Sequence, residues 1–473
     1  MSVASAAAFP SSGALKPAPA VVRRRAGGAS SPAMPVPVWI LCAYLFLVTV
    51  FGKGPTYLGI PPLFIGEMTL IVSVLWMVNR HGLKAALIGN ESALACLIAA
   101  YMALGAVLTL PGIAAHGVDA VRDAAIWYYC IFFFIGHALG ADAALGTRAW
   151  RFMVIAWGFA LIWGSVDQLC QLTMNWTLAT LGPVLPWRGE PLFFNSNYEQ
   201  IQHIGLAALI ALHPRISQGH LGRWRVPLAV LSVVPGLVLV SIAHGRGVKV
   251  GLALGALILA ILHFAPGKPL QISRRTIAGF VILILLMGGG VLVFGDDFMR
   301  VSRLERFTEA NPSSPSGTAY WRMIWWRVLW QEVNDQNPAF GLGFGQSLSM
   351  YNPYLQGAEH DYTAWPVRSP HNFNITVFSR MGFVGLALWL AVFVTGIGGL
   401  FLRTWRGEGA AAHPERREEL AFWIVMLVAT WGNGSFGVLM EGPVLGIWFW
   451  FALGFSRGRS EPSAAVESKW EMA

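Results

Sequence analysis

Residues 369–385 read SPHNFNITVFSRMGFVG, and they mark the place where a long polar segment gives way to an apolar run. The polar segment begins near Asp296 and ends at His371. The polar groups of so long a loop cannot be satisfied in hydrocarbon, so we expect the loop to lie in water at one face of a membrane. Its ionisable residues would then stand beside the bilayer, within reach of a substrate whose tail stays in lipid.

The composition of the whole chain indicates a membrane protein. Of its 473 residues, 55% are hydrophobic and 12% are charged, against roughly 25% charged residues in soluble domains. So few charges could not cover the surface of a soluble protein of this length. The net charge of +9 is therefore interpreted as a signal of membrane orientation, and nucleic-acid binding is not expected.

Apolar runs of roughly bilayer length predict an all-α polytopic membrane protein with about twelve transmembrane helices. The runs are 38–52, 60–79, 90–110, 124–140, 150–168, 199–212, 227–243, 247–264, 276–295, 373–402, 418–436 and 441–456. They divide the chain into a disordered cytoplasmic tail (1–37), transmembrane helices 1–9 (38–295), a large periplasmic loop (296–372), transmembrane helices 10–12 (373–456) and a cytoplasmic tail (457–473).

The distribution of basic residues sets the predicted orientation. With the N-terminus placed inside, most of the 33 Lys and Arg residues fall in inner segments, and the short outer segments hold few of them, as the positive-inside rule requires. Both termini are therefore predicted to be cytoplasmic and the 296–372 loop periplasmic. No small-residue cleavage site follows the first apolar run, so we expect an uncleaved first span.

Within the periplasmic loop, Thr318–Gln336 is predicted to form a helix that ends at Pro338. Its tryptophans recur at spacings that cover a broad side of the helix: Trp321, Trp325, Trp326 and Trp330. We expect this helix to lie along the outer membrane surface, with the tryptophan rings at headgroup depth.

Three ionisable residues of the outer face are candidates for chemistry. His371 stands at the mouth of a span, behind Pro370, and its imidazole suits proton abstraction near neutral pH; the alternative is a structural or solvated histidine. Arg246 lies in a tight outer turn, where its planar fork would match phosphate oxygens; the alternative is an interfacial arginine that reaches the headgroups. Arg322 begins the Trp-rich helix, whose N-terminus favours anions; the alternative is a solvated helix arginine.

Other kinds of site are not indicated. The four cysteines form no CxxC motif and no Cys/His cluster, so neither disulfides nor zinc is predicted. The segment Gly341–Gly345 lacks the spacing and the βαβ context of a nucleotide loop and is interpreted as a flexible loop. Because no paired-carboxylate signature of a metal-dependent transferase stands out, we predict no metal and no cofactor.

One motif resembles a known family. His371-Asn372, followed after nine residues by Gly382-x-x-Gly385, is similar to the signature of the O-antigen ligase and O-antigen polymerase family. The resemblance extends over roughly residues 190–400, through a second set of positions: Arg246, Arg322, Trp326, Pro338, Gly341 and Gly343.

This resemblance implies a GT-C-like fold in the bacterial inner membrane that acts on glycans carried by undecaprenyl pyrophosphate. It also implies inverting transfer without a metal. His371 would be the base for the acceptor hydroxyl, and Arg246 and Arg322 would bind the pyrophosphate. Four residues are expected to support them: Asn372, Trp326, Gly382 and Gly385.

Three functions fit these residues. A ligase would move a finished glycan onto lipid A–core, a polymerase would extend one lipid-linked glycan with another, and a transporter would move a lipid-linked glycan without chemistry. A transporter needs polar residues at mid-span depth, whereas most ionisable residues here lie at span ends, with Arg380 and Glu67 the main exceptions. The expected partners are a lipid-linked glycan donor, one of the two acceptors and membrane lipids.

Overall fold

A computed structural model gives the architecture of most of the chain. It describes residues 33–60, 63–82, 92–174, 177–185, 191–193, 246–263, 319–353, 369–412, 414–437 and 440–461. Most of the predicted 1–37 tail and the apolar runs 199–212, 227–243 and 276–295 lie outside these residues. The count of about twelve spans therefore stays a prediction.

The described residues are mostly helical. The helices are α1 (Val36–Phe51), α2 (Ile65–His81), α3 (Ser92–His116), α4 (Val118–Asp123), α5 (Ala125–Tyr128), α6 (Ile131–Ala141), α7 (Ala143–Met174), α8 (Arg246–His263), α9 (Ala319–Gln336), α10 (Phe373–Phe393), α11 (Gly399–Arg406), α12 (Pro414–Gly434) and α13 (Leu445–Arg459). Short 3₁₀ helices occupy Gly54–Tyr57, Leu178–Leu181, Leu348–Tyr351 and Gly409–Ala412, and a π-helical segment, Val394–Gly398, joins α10 to α11. Two short antiparallel strands, β1 (Gly59–Ile60) and β2 (Leu63–Phe64), precede α2.

Three helical stretches are long and apolar enough to cross a membrane, by length and composition: Ala93–His116, Val118–Ala141 and Phe373–Arg406. Two shorter apolar helical stretches are α1 and Ala253–Leu262. Large apolar side chains on the outer faces of these helices, such as Leu110 and Val394, are exposed, which suits contact with lipid. The prediction of a helical membrane protein agrees with this architecture.

Two helices begin later than the apolar runs that predicted them. In the run 60–79 the chain first forms β1 and β2, so α2 starts at Ile65. In the run 441–456, α13 starts only at Leu445, which leaves Glu441 in the preceding connection. We call residues 435–444 the α12–α13 connection; within it, 438 and 439 lie outside the described residues.

The last helix also reaches beyond the predicted start of the C-terminal tail at residue 457. Arg457 and Arg459 are only 3% and 5% exposed. Arg459 donates from Nε to Oε1 of Glu419 at 2.8 Å and from Nη2 to Oε2 of Glu419 at 3.1 Å. A buried guanidinium needs such a paired carboxylate, so this end of α13 is packed against α12.

Helices α6 and α13 pack with their backbones in contact. A Cβ on Gly136 would meet the carbonyl oxygen of Phe451, and a Cβ on Gly454 would meet that of Phe133. Small residues of this kind let membrane helices approach closely where lipid supplies no hydrophobic driving force. The pair forms a regular, tightly packed part of the frame.

Helices α8 and α12 are joined in the same way, and this contact positions one end of α8. A Cβ on Gly251 would meet the carbonyl oxygen of Ala429, and a Cβ on Gly247 would meet the side chain of Asn433. The first residue of α8, Arg246, is therefore held next to the C-terminal end of α12.

Candidate functional site

The site begins with the turn that leads into α10. Asn372 is the N-cap of this helix, and its Oδ1 accepts hydrogen bonds from the backbone N–H of Asn374 at 3.0 Å and of Ile375 at 3.2 Å. These bonds satisfy two of the donors that every helix leaves open at its start. His371 is thus fixed just outside the first turn of the helix, at the end of the loop predicted to be periplasmic.

His371 has an uncommon backbone conformation. Its φ is +60°, and it is the one non-glycine residue with positive φ among the described parts of the chain. Its backbone N–H points to Oγ of Ser369 at 3.4 Å. A non-glycine residue in this region is strained, and such strain is concentrated at functional sites.

The surroundings of His371 favour its neutral form. Burial and the nearby Arg322 guanidinium together lower the pKa of the imidazole to about 4, against the opposing effect of a hydrogen bond with the Ser369 backbone. The side chain is nevertheless only partly buried. At neutral pH the imidazole is therefore uncharged and able to accept a proton.

Arg322 is held beside this histidine by the α12–α13 connection. It lies in the first turn of α9, a helix that matches the predicted Thr318–Gln336 to within one residue. Its Nη1 donates to the carbonyl oxygen of Phe436 at 2.7 Å. Phe436 belongs to the α12–α13 connection, so this connection fixes the position of the guanidinium.

Trp326 links α9 to the turn that carries His371. Its Nε1 donates to the carbonyl oxygen of Pro370 at 2.7 Å, one residue ahead of the histidine. Trp326 follows Arg322 by four positions, so both lie on the same side of α9. The helix thus contacts the His371 turn through Trp326, and the charge of Arg322 on the same side acts on His371.

The expectation that the tryptophans of α9 lie at headgroup depth is wrong for Trp325. This ring is fully buried against Leu329 and Leu348, and its Nε1 donates to the carbonyl oxygen of Leu348 at 3.1 Å. Trp330 is 42% exposed, but its ring stacks on Phe378 of α10 with centroids 4.4 Å apart. The helix packs against protein because the chain after it folds back to cover one of its faces.

Gly382 interrupts α10. Its φ of +62° and ψ of −161° are non-helical, and a Cβ there would meet the backbone of Ala339 and Phe340. Only glycine tolerates both this conformation and this approach. The helix is therefore built from two halves, with residues 338–343 crossing at the break.

Four backbone hydrogen bonds close the break. The N–H groups of Leu342 and Gly343 donate to Ser379 O at 2.7 Å and Arg380 O at 3.2 Å. In return, Phe383 N–H donates to Pro338 O at 2.9 Å, and Val384 N–H donates to Ala339 O at 3.2 Å. Non-helical backbone at membrane depth is tolerated only when it is satisfied in this way.

The interpretation of Gly341–Gly345 as a flexible loop is wrong where it meets this break. Gly341 and Gly343 have φ of +73° and +76°, and a Cβ on Gly341 would lie 2.7 Å from both Gly382 N and Ser379 O. The second glycine of the GxxG motif, Gly385, lies in the next turn, where a Cβ would collide with that of Met381. These glycines serve close backbone contact, and not mobility.

Arg246 is the first residue of α8, and its side chain lies outside the described part of the structure. The backbone at the start of α8 nevertheless shows which residues lie beside Arg246. A Cβ on the adjacent Gly247 would lie 3.2 Å from Cβ of Phe436, the residue whose carbonyl binds Arg322. The start of α8, the α12–α13 connection and the start of α9 therefore meet in one place.

Three charged residues near the site were not among the predicted site residues, although Arg380 was noted as an ionisable residue inside a span. Nη2 of Arg380 pairs with Oδ2 of Asp123 at 2.7 Å, and Nη1 donates to Gly343 O at 3.1 Å. Glu441 accepts hydrogen bonds from Ser369 and Thr376. A charged residue inside or beside an apolar run is the signal that could have identified them.

The described acidic and cysteine side chains are not grouped as metal ligands or as a disulfide. Among them, no group of three or more His, Cys, Asp or Glu side chains is placed to hold a metal ion. The four cysteines are free. Asp123 is used instead by Arg380 and by the backbone N–H of Gly345, at 3.1 Å from Oδ2.

Comparison with known proteins supports the family resemblance. No curated protein matches this chain. The family model described as O-antigen ligase matches residues 231–390, a segment that contains α8, α9, the His371 turn and most of α10. The match and the apolar helices indicate a bacterial membrane protein and an enzyme of the O-antigen ligase or polymerase type. Residues 231–390 of this chain are therefore similar to the O-antigen ligase family.

Proposed function

We propose that the protein is an O-antigen ligase that transfers a glycan from undecaprenyl pyrophosphate to a hydroxyl group of lipid A–core. The observation that carries this proposal is the neutral, partly exposed His371 beside the Arg322 guanidinium, at the end of a broken helix. A base and a fixed cation side by side are what glycosyl transfer from a lipid diphosphate requires.

The proposed reaction needs one proton acceptor and one site for negative charge. The acceptor hydroxyl oxygen attacks the anomeric carbon from the face opposite the pyrophosphate, and its proton passes to the His371 imidazole. The bond from the anomeric carbon to the pyrophosphate oxygen breaks, and its electron pair leaves with the lipid pyrophosphate. The configuration at the anomeric carbon is inverted, and no nucleotide is required because the donor is already activated.

Arg322 would neutralise the charge that grows on the leaving group. Its guanidinium is held by Phe436 O, so it is oriented before the substrate arrives, which is the condition for efficient electrostatic stabilisation. Arg246 would supply the second guanidinium from the start of α8, and the start of a helix also favours an anion. Two guanidinium groups would thus take the part that a divalent cation takes in other transferases.

Binding of the donor would also prepare the base. In the free protein the Arg322 charge helps to hold the pKa of His371 near 4. A bound pyrophosphate would offset that charge, so the pKa of the imidazole would rise towards its ordinary value. The histidine would become a stronger base once the donor is in place.

The supporting residues have separate tasks in this scheme. Asn372 caps α10 and so fixes the point at which His371 leaves the helix. Trp326 holds the Pro370 carbonyl. Gly382 and Gly385 allow the interruption of α10, and this interruption would fix the position of the His371 turn relative to α9. The site would face the periplasm from the bacterial inner membrane, with both termini in the cytoplasm.

The acceptor decides between ligase and polymerase, and in vitro transfer with purified lipid-linked glycan tests it. We expect glycan to move to lipid A–core and not to a second lipid-linked glycan, in the presence of excess EDTA. Transfer only to the second lipid-linked glycan would identify a polymerase, and movement across vesicles without any new glycosidic bond would identify a transporter. Loss of activity in EDTA that magnesium restores would refute the metal-independent mechanism.

A further inference from the structure

A carboxylate lies directly behind the turn that carries His371. Oε1 of Glu441 accepts hydrogen bonds from Ser369 Oγ and from Thr376 Oγ1, each at 2.7 Å. The two hydroxyl groups are 3.3 Å apart, and both residues are buried, with 4% and 3% of their surface exposed. One carboxylate oxygen therefore holds the residues on both sides of the turn.

Ser369 and Thr376 are both in direct contact with the turn that carries His371. Ser369 accepts the backbone N–H of His371 through Oγ and forms a hydrogen bond with the imidazole through its backbone. Thr376 Oγ1 also lies 3.1 Å from the carbonyl oxygen of the N-cap residue, Asn372. Displacement of Ser369 or Thr376 would therefore move the histidine in its strained conformation.

The α12–α13 connection contributes to the site at two points. Its Phe436 carbonyl binds Arg322, and its Glu441 binds the residues around His371. We propose that Glu441 is a positioning residue that keeps the His371 imidazole at a fixed place relative to the Arg322 guanidinium. This inference rests on the proposed function, since it assigns Glu441 to the same reaction.

The environment of Glu441 makes its charge sensitive to pH. Burial raises the pKa of this carboxyl to about 7, against the lowering effects of the Ser369 and Thr376 hydrogen bonds and of Arg380. Among the described residues, two other titratable groups act on it or are acted on by it, Asp123 and Tyr101. An ionised carboxylate accepts the two hydroxyl hydrogen bonds more strongly than a protonated one. The hold on the His371 turn would therefore weaken as the pH falls through about 7.

Glu441→Ala and Glu441→Gln, assayed in the full-length purified protein with donor and lipid A–core, test this role. We expect Glu441→Ala to lower kcat roughly 10- to 100-fold with the donor KM within about twofold of wild type, because the base is misplaced while donor binding is kept. Glutamine keeps an acceptor oxygen at the same place, so Glu441→Gln should retain kcat within about tenfold.

The pH profile separates a positioning role from a merely structural one. The kcat/KM of the wild type should fall as the pH drops through about 7, which gives its pH profile an acid limb. This limb should be absent in Glu441→Gln, because the amide of glutamine does not titrate there. The matched control is Glu408→Gln, an exposed carboxylate whose pair with Arg406 spans 3.8 Å; it should leave both kcat and the limb unchanged. A limb near pH 7 that persists in Glu441→Gln would overturn the proposal, even if Glu441→Ala does not fold.

A second readout does not depend on transfer. The rate at which diethyl pyrocarbonate modifies His371, followed by peptide mass, should rise several-fold in Glu441→Ala and stay unchanged in Glu408→Gln. An unchanged rate together with a kcat within twofold of wild type would refute the role of Glu441 and leave the ligase proposal intact. A wild-type protein that transfers to neither acceptor would instead refute the proposed function.

Discussion

Helices α6 and α13 approach through glycines on two uninterrupted helices, whereas Gly341 and Gly382 bring a loop into a helix that is broken to receive it. At α6 and α13 every residue keeps helical geometry, and the glycines only remove bulk. At the break both glycines have positive φ, and the neighbouring turn holds the strained His371. The first region is built for stability. The second holds charged side chains in a geometry that regular helices do not offer.

Substitution of the proposed base and of the proposed cation should have the largest effect on activity. We expect His371→Ala and Arg322→Ala each to lower transfer about 10²–10⁴-fold, because a positioned base or a preorganised cation is lost. Expression and detergent-purified yield should match wild type, since neither side chain fills a core. In vitro transfer measures the effect.

Arg327→Ala is the matched control for Arg322→Ala, since Arg327 is exposed on the same helix. It should retain wild-type transfer. Wild-type activity in His371→Ala would remove the histidine from the mechanism, whatever the behaviour of the arginine.

Gly382→Ala should lower both activity and stability. The added methyl group would collide with the backbone of residues 339 and 340, and alanine is strained at a φ of +62°, at about 1–3 kcal/mol for the conformation alone. We expect a lower unfolding temperature and a lower kcat for the fraction that remains folded. A stable variant with wild-type kcat would show that the break is not needed for the site.

Gly454→Ala should lower stability without altering the chemistry. Its methyl group would meet the carbonyl oxygen of Phe133 and push α6 and α13 apart. The measurement is the unfolding temperature together with kcat per folded molecule. A kcat that falls as far as in Gly382→Ala would contradict the division between a stabilising region and a catalytic one.

The smallest of the expected effects is a rise in the pKa of His371 in Arg322→Ala. Removal of the cation takes away one of the two influences that lower the imidazole pKa to about 4, so the pKa should rise but stay below 6.5, because burial still acts. NMR of ring-labelled histidine, assigned with His371→Ala, follows this change. No rise in the pKa would mean that the two side chains do not interact, and Arg327→Ala should cause none.

Several parts of this arrangement could be predicted from the sequence because they depend on neighbours along the chain. Apolar runs predicted where helices lie, and α9 matches its predicted range to within one residue. The place of His371 at the mouth of α10 followed from the polar segment before it. Asn372 is a good N-cap residue wherever a helix follows it.

Other parts depend on residues far apart in the chain, and no local pattern reveals them. The apolar run 373–402 contains Gly382 but gives no sign that residues 338–343 enter at that point. The spacing of Trp325 fits a lipid-facing ring and a buried one equally well. Glu441 lies at the start of the apolar run 441–456, which predicted a helix there, whereas residues 441–444 belong to the α12–α13 connection.

The contact of residues 338–343 with α10 also decides which hydrogen bonds this helix makes. Phe383 and Val384 lie four residues after Ser379 and Arg380, so in a regular α-helix their N–H groups would donate to the carbonyl oxygens of those two residues. At the break, residues 338–343 take up all four of these groups instead. A change that removes this segment would therefore allow α10 to become a continuous helix, which would alter the direction in which the His371 turn leaves it.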